Sequence, residues 1–288
     1  MLLITGGTGS FGSAYLKHHF CTSQGKYIKK DNVQCKIPIT IYSRDWLKQK
    51  QLREELGNPA NITWILGDLR DKERLKHATR LVTHVIHAAA IKCIDACEKN
   101  PQECLSINVN GTQNLLDCLN PFITKILIST DKAVLPVNTY GTSKKMAEKL
   151  WLNQGGIVCR YGNVIGSAGS VLPYYRKLMS EGAKSLPVTD ERMTRFWLSM
   201  ADAIALVDKA LESGKPGELM IPDMPSIRII DLVEALGCKP YFTGIREGEK
   251  LHEWIIPPDE ILGTQGLSSG NNPVFLSVEK IRRSIDGV

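Results

Sequence analysis

Short, almost wholly apolar runs punctuate the first part of the chain: LLIT (2–5), IPITIY (37–42), ITWIL (62–66), THVIHAAA (83–90), KILIST (125–130) and GIVCRY (156–161). Runs of this length and apolarity predict strands buried on both faces, as in a parallel sheet. Between them lie longer stretches with apolar residues at helical spacing. One is Pro101–Leu119, where Leu105, Val109, Leu115 and Leu119 fall near one face. Strand–helix alternation of this regularity predicts an α/β fold with a doubly wound parallel sheet. The right-handed crossover rule then gathers the strand C-terminal ends, and any ligand, along one edge.

Beyond Gly162 the pattern loosens into Gly/Ser/Pro punctuation (GNVIGSAGSVLP) and short mixed elements. Ser199–Leu211 reads as a further helix that packs back on the sheet. The expected division is a dinucleotide-binding domain over 1–161 and, over 162–288, mainly a smaller C-terminal α/β lobe above the strand ends. No repeat or low-complexity tract is present. The polar segment CTSQGKYIKKDNVQCK (21–36) is long for a helix-to-strand connection and has no assigned role.

Composition narrows the classes of function. The chain has 288 residues, 43% hydrophobic and 23% charged, ordinary for a soluble globular protein. Its net charge of +6 is mild and spread out, which suits a binder of phosphorylated small molecules or a plain solvated surface. No basic run has interleaved aromatics, so no nucleic-acid partner is expected. No apolar run approaches a membrane span, and a structured motif begins at Leu2. A cytoplasmic protein without membrane association is therefore expected. Eight cysteines read as free thiols of a reducing compartment. Cys93, Cys97 and Cys104 lack metal-ligand spacing and a following His, so no metal is expected.

LLITGGTGSFG sets a strand before Gly6, Gly9 and Gly12 and a helix pattern after them. In this βαβ setting Gly6 permits the tight turn, Gly9 admits the pyrophosphate, and Gly12 lets helix and strand pack closely. Thr8, Ser10 and Phe11 belong to the same loop, and the helix N-terminus supplies N–H groups to the phosphates. Where NAD enzymes place a ribose-binding carboxylate after the second strand, this chain has Ser43 and Arg44, suited to a 2′-phosphate and hence to NADP. Asp45, one residue on, leaves NAD open. Asp68 and Leu69 in GDLRD, and Ala88, Ala89 and Ala90 in HAAA, complete the expected cofactor contacts.

Tyr140 and Lys144 stand four apart on one helical face, just after the fifth strand, whose last residue is Thr130. A lysine ammonium there lowers the tyrosine pKa, so that the phenolate takes a proton from a substrate alcohol as hydride leaves. Asp131 and Lys132 add an acid and an amine that simple alcohol oxidation does not use.

TGGTGSFG, HAAA, NVNGT and YGTSK resemble the extended short-chain dehydrogenase/reductases that act on nucleotide sugars, a Rossmann-type fold. YSRDWLKQ, STDKAVLPVNTYG, RYGNVIGSAGSVLP, TDERMTRFW and GIREGEKLHE are similar to signatures of the soluble inverting UDP-N-acetylglucosamine 4,6-dehydratases of the pseudaminic-acid pathway. The resemblance runs from residue 2 to about 260. It implies C4 oxidation, loss of water across C5–C6, and return of the stored hydride from a tightly bound, recycled NADP to C6. It assigns Asp131 as the acid at the C6 hydroxyl and Lys132 as the C5 base, one protonated and the other neutral, as burial promotes. Relatives that retain C5 configuration have Asp-Glu at these positions, so Lys132 implies inversion. Membrane-anchored relatives carry Met in place of Tyr140.

The same resemblance implies a sugar-nucleotide site built from Lys92, Asn163, Arg192, Arg195, Arg246, Glu249, Lys250 and Glu253. Arg246 and Lys250 are expected on the diphosphate, with Glu249 or Glu253 accepting from a ribose hydroxyl. It also implies a homo-oligomer, from dimer to hexamer. Two departures are a short connection after the catalytic helix and a short tail after Glu260. Two alternatives remain open. A UDP-sugar 4-epimerase would need Tyr140 and Lys144 but not Lys132, and a silent NADP-binding regulator would tolerate loss of either.

Overall fold

In the computed structural model the chain is described over residues 1–20, 22–23, 26–27, 38–258, 266–286 and 288. Most of the polar 21–36 segment, Cys21 and Cys35 included, and the first residues of the tail after Glu260 lie outside the described residues.

Six parallel strands arise where the apolar runs predict them: β1 (Leu2–Thr5), β2 (Ile39–Ser43), β3 (Ile62–Leu66), β4 (His84–His87), β5 (Thr124–Thr130) and β6 (Ile157–Tyr161). Strand β4 stops at His87, so Ala88–Ala90 are loop rather than the strand the run suggests. In the C-terminal part the strands are β7 (Asn163–Val164), β8 (Ser185–Val188), β9 (Thr194–Leu198), β10 (Leu219–Met220), β11 (Ser226–Arg228), β12 (Lys239–Phe242), β13 (Trp254–Ile256) and β14 (Leu267–Ser268). The main sheet runs β10-β6-β5-β4-β1-β2-β3 with every pairing parallel. Chain order reverses direction beside β1, the switch point where doubly wound sheets bind ligands. The seventh strand, β10, comes from beyond residue 161.

Helices cover both faces because each strand is apolar on both. In chain order the helices are α1 (Ser10–Phe20), α2 (Trp46–Glu55), α3 (Lys72–Thr79), α4 (Ile94–Lys99), α5 (Pro101–Leu105), α6 (Gly111–Cys118), α7 (Thr139–Asn153), α8 (Val171–Ser180), α9 (Met200–Ser213), α10 (Ile229–Ala235) and α11 (Val278–Ile285), of which α8, α10 and α11 pack in the C-terminal unit. Alternation along β1 shows the layering. Leu2 and Ile4 join Leu16, Ala203 and Val207 on one face, while Leu3 joins Leu75, Leu115 and Trp151 on the other. Helix α9, capped by the Ser199 hydroxyl, lies in the first layer, as its sequence predicts.

The stretch predicted as one helix over 101–119 is interrupted. A π-helical turn, Ser106–Asn110, separates α5 from α6, and Leu105 turns outward to 45% exposure. The turn brings Asn108 inward, where its side chain exchanges hydrogen bonds with the Ile91 backbone (2.8 and 2.9 Å) and donates to Ser143 Oγ (3.0 Å). A π turn placing a polar side chain beside the α7 helix is a common functional use of that irregularity.

The smaller C-terminal unit has its own core, in which Leu172, Leu186, Trp197, Ile227, Leu232 and Ile281 are buried together. Its strands pair as β11-β9-β7, β8-β12 and β13-β14. Segment 248–255 fastens it to the sheet: Gly248 O accepts from Asn138, Lys250 donates to Val134 O, and Ile255 O accepts from Arg160. Arg160 is itself buried in a bidentate pair with Glu148 on α7 (3.0 and 2.8 Å). Among the described residues no helix is long and apolar enough to cross a membrane.

Candidate active site

Two loops at the sheet's C-terminal edge define the site. The first follows β1. Gly6 adopts a φ of +70°, and a Cβ there would come within 2.7 Å of the Ala89 backbone. A Cβ on Gly12 would lie 2.5 Å from Gly7 Cα, so close packing of α1 on this loop demands glycine. A Cβ on Gly9 would meet only Gly6 O within contact range, at 3.2 Å. Backbone thus lies bare at the start of α1, where pyrophosphate would bind against the helix N-terminus. A dinucleotide fits this cradle.

After β2, Ser43 is buried and its Oγ and carbonyl both accept from Gln49 (3.0 and 3.1 Å). Arg44 beside it is exposed. Asp45 caps α2, accepting from Lys48 N at 3.0 Å, and that bond holds its carboxyl below the ordinary aspartate range. Asp68 is engaged by Arg70 through the backbone amide and a two-pronged guanidinium contact. Leu69 is buried against Gly111.

The second loop follows β5. Thr130 ends the strand and caps a single 3-10 turn, Asp131–Ala133. Its hydroxyl donates to Asp131 Oδ1 (2.9 Å) and accepts from Lys132 N (3.3 Å). Lys132 Nζ donates to the same Asp131 oxygen and to Asn163 Oδ1, both at 3.0 Å. Asp131 is fully buried, and its other oxygen has no hydrogen-bond partner among the described residues. Gly162 leaves room beside that oxygen, since a Cβ there would stand 3.2 Å from it.

Burial raises the Asp131 pKa, helped by the Glu253 charge and opposed by Lys132. This is the direction an acid needs. Lys132 goes the other way from the sequence expectation. Burial works to lower its pKa, but the Asp131 and Glu253 carboxylates outweigh it and the net shift is upward. Lys132 therefore rests as an ammonium held by carboxylates.

Tyr140 and Lys144 lie buried in the first turns of α7, which Asn138 caps at Gly141 N (2.7 Å). Here too the expected effect is reversed. Burial raises the Tyr140 pKa, the Asp131 charge adds to that, and a hydrogen bond with Thr130 opposes it. Lys144 Nζ donates to Ile128 O at 2.7 Å. Desolvation pulls Lys144 itself down to about 8. Both corrections have one cause: spacing reveals who the neighbours are, whereas burial decides which charge survives.

The substrate residues expected from the sequence divide into two groups. Asn163, Lys250 and Glu253 join the Asp131–Lys132 cluster. Glu253 is 3% exposed, 3.7 Å from Lys132 Nζ and 3.1 Å from Lys250 Nζ, which puts its carboxylate beside Lys132. Lys250 is likewise turned inward to Val134 O (2.7 Å), not out to a diphosphate. Arg195 is buried, with Nη1 on Thr194 O and Leu251 O, and its charge acts on Lys132 and Glu253. Lys92 feels Lys132 as well: desolvation and that like charge lower its pKa. Arg192 and Arg246 do not join the cluster. Both are exposed, paired with Asp190 and Glu249 respectively.

The profile of the polysaccharide biosynthesis protein family matches residues 2–269. The chain belongs to the polysaccharide biosynthesis protein family. A relative in Campylobacter jejuni subsp. jejuni serotype O:2, a UDP-N-acetylglucosamine 4,6-dehydratase (inverting), is 45% identical over 272 residues, covering 90% of this chain and 78% of that protein. A UDP-glucose 4-epimerase of Rickettsia akari is 38% identical over 277 residues, with the same coverage. Among solved structures, Pen from Bacillus thuringiensis superposes with a TM-score of 0.84 at 30% identity, over 98% of this chain and 95% of that one. A dTDP-glucose 4,6-dehydratase from Streptomyces venezuelae, solved with NAD, gives 0.76 at 18% identity over 99% and 95%, and shares the fold.

This polysaccharide biosynthesis protein also holds polar residues that the sequence reading left without a role. His87 bridges Thr5 (2.6 Å) and Thr112 (2.9 Å), and Thr112 donates to Asn108 O (2.7 Å). Asn108 and Thr112 lie in the NVNGT motif, so the signal was present as a motif without a stated function. Among the described residues, no group of three or more His, Cys, Asp or Glu side chains is placed to hold a metal.

Proposed function

We propose that the protein is a C5-inverting UDP-N-acetylglucosamine 4,6-dehydratase with a tightly held NADP. The observation that carries this reading is the pair of buried Asp131 and half-buried Lys132, hydrogen-bonded at 3.0 Å and sharing Thr130 with Tyr140. Its 45% identity to the Campylobacter enzyme supports the substrate. NADP in preference to NAD is supported by exposed Arg44 and by the commitment of Asp45 to the α2 cap.

The glycine loop of Gly6, Gly9 and Gly12 would hold a nicotinamide dinucleotide, which would supply a hydride acceptor for C4 and the same hydride for C6. Tyr140 takes the C4 hydroxyl proton. A protonated, neutral Asp131 helps, since its charge is one of the influences opposing the phenolate. The resulting ketone acidifies C5–H. Lys132, as free amine, removes that proton while Asp131 donates to the departing C6 hydroxyl. Lys144 is anchored on the Ile128 carbonyl, and Asn163 orients the Lys132 amine. A 4-epimerase, the activity of the Rickettsia relatives, leaves the Asp131–Lys132 pair without work. Exposed Leu105, Val137 and Met146, on and beside α5 and α7, support a self-associating face and hence a homo-oligomer.

The test is incubation with UDP-N-acetylglucosamine in D2O, followed by NMR of the sugar. A 4-keto-6-deoxy product of L-arabino configuration with deuterium at C5 is expected. A D-xylo product refutes inversion, and simple appearance of UDP-N-acetylgalactosamine refutes the dehydratase.

A further inference from the structure

Elimination needs opposite protonation states on two neighbours: an acid at the C6 hydroxyl and a free amine at C5–H. With Lys132 Nζ 3.0 Å from Asp131 Oδ1, one proton moving along that line makes both at once. The N–H bond breaks, the O–H bond forms, and both charges vanish. In the elimination C5–H breaks to Nζ, and its electron pair forms C5=C6. The C6–O bond breaks and the oxygen leaves as water with the Asp131 proton. The pair is again carboxylate and ammonium, ready for the same transfer. The proton C5 regains on its other face balances, in number, the one Tyr140 removed from the C4 hydroxyl.

Such a device works only while the pair carries one proton, neither none nor two. The side chains whose charges face it are Tyr140 from α7, Lys92 after β4, Arg195 from β9 and Glu253 ahead of β13, with Lys250 paired to Glu253. Glu253 is the carboxylate among them. Its Oε1 is 3.7 Å from Lys132 Nζ, and its backbone is pinned by Ser269, whose Oγ accepts from Glu253 N (2.9 Å) and whose N donates to Glu253 O (2.7 Å).

We propose that Glu253 is a positioning residue for the elimination, holding the Lys132 amine against Asp131 and keeping a single proton shared between them. The proposal rests on the dehydratase reading and deepens it. The negative charge of Glu253 strengthens proton binding by both members of the pair. Without it, loss of the shared proton at high pH and gain of a second at low pH both occur at lower pH.

The experiment is the pH dependence of kcat on UDP-N-acetylglucosamine for the full chain. Glu253→Gln is expected to move both limbs of the bell to lower pH by about one unit, with roughly tenfold lower activity on the alkaline side. Lys250→Met, which removes the cation on the other side of Glu253, is expected to move them to higher pH. Glu253→Asp keeps the charge and the limbs. Limbs of Glu253→Gln at wild-type positions, with kcat lowered evenly, overturn the proposal. If that variant does not fold, unmoved limbs in Lys250→Met overturn it instead. Wild-type protein that makes no 4-keto-6-deoxy sugar refutes the dehydratase reading and this role with it. Wild type that does so, with variant limbs unmoved, refutes the role of Glu253 alone.

Discussion

Gly141, inside the YGTSK motif, gives the sharpest test of how closely the catalytic helix and the Asp131–Lys132 turn are fitted. A Cβ at this position would lie 2.2 Å from the Lys132 carbonyl oxygen and 3.1 Å from Pro136 Cβ. The first neighbour is backbone, so it cannot rotate away. To reach ordinary van der Waals separation, α7 and the turn must part by about 1 Å. Overpacking of this kind costs about 1–3 kcal/mol, and alanine in place of glycine returns up to about 1 kcal/mol of helix propensity. Gly141→Ala should therefore fold, at a net cost of about 0–3 kcal/mol. Catalysis should suffer far more, because a displacement near 1 Å at reacting groups costs about a hundredfold. Tyr140 and Lys144 move with the helix while Asp131 and Lys132 move with the turn, so oxidation and elimination fall out of register. Accordingly kcat should drop about a hundredfold, with reduced nicotinamide accumulating during turnover and the urea midpoint little changed. An unchanged kcat in a folded Gly141→Ala protein would refute the argument. So would loss of dinucleotide binding with the activity, which would mean that the fold had given way and not the register.

Other expectations follow from single contacts. Arg44→Ala should weaken NADP binding about 10–100-fold and leave NAD binding unchanged, measured by titration calorimetry, because a guanidinium–phosphate contact is charge-assisted. Equal losses for both dinucleotides would remove the case for a 2′-phosphate site. Glu148→Ala buries the Arg160 charge without its carboxylate, at an expected cost of about 3–5 kcal/mol in urea unfolding, and Arg160→Met in the same protein should recover part of it. His87 is fully buried between Thr5 and Thr112, and desolvation, with Lys144, lowers its pKa to about 3 from an ordinary 6.5. The unfolded chain thus takes up this proton first, so the stability is complete above pH 6.5 and falls by about 1.4 kcal/mol per unit on acidification towards pH 3. His87→Gln should flatten that slope, and an unchanged slope would assign acid unfolding to other groups.

Local pattern made most of the sheet legible. A strand buried on both faces is apolar throughout, so LLIT coincides with β1 residue for residue, and ITWIL coincides with the part-buried edge strand β3. The π turn at 106–110 was not legible, because one extra residue in a turn leaves the apolar spacing on either side intact. Thr130, Asp131, Lys132, Tyr140 and Lys144 could be found from spacing, being neighbours along one strand end and one helix. The positions of Glu253 and Lys250 could not, since their partners lie more than a hundred residues away and nothing local marks a glutamate as buried. The upward pKa shifts of Lys132 and Tyr140 were not legible for the related reason that burial and the partners it brings are properties of the assembled fold.

The three hydrogen bonds that fasten segment 248–255 across the catalytic turn have a consequence in time. They join residues 110, 116 and 95 positions apart, while the sheet from β1 to β6 is built before that segment exists on a growing chain. Closing loops of that length is entropically costly and slow. On a growing chain the strands of the dinucleotide cradle are therefore made before the carboxylate that stands beside Lys132. The proposed acid and base of the elimination thus precede the glutamate that braces them, and the interval between them is set by how quickly the C-terminal unit docks.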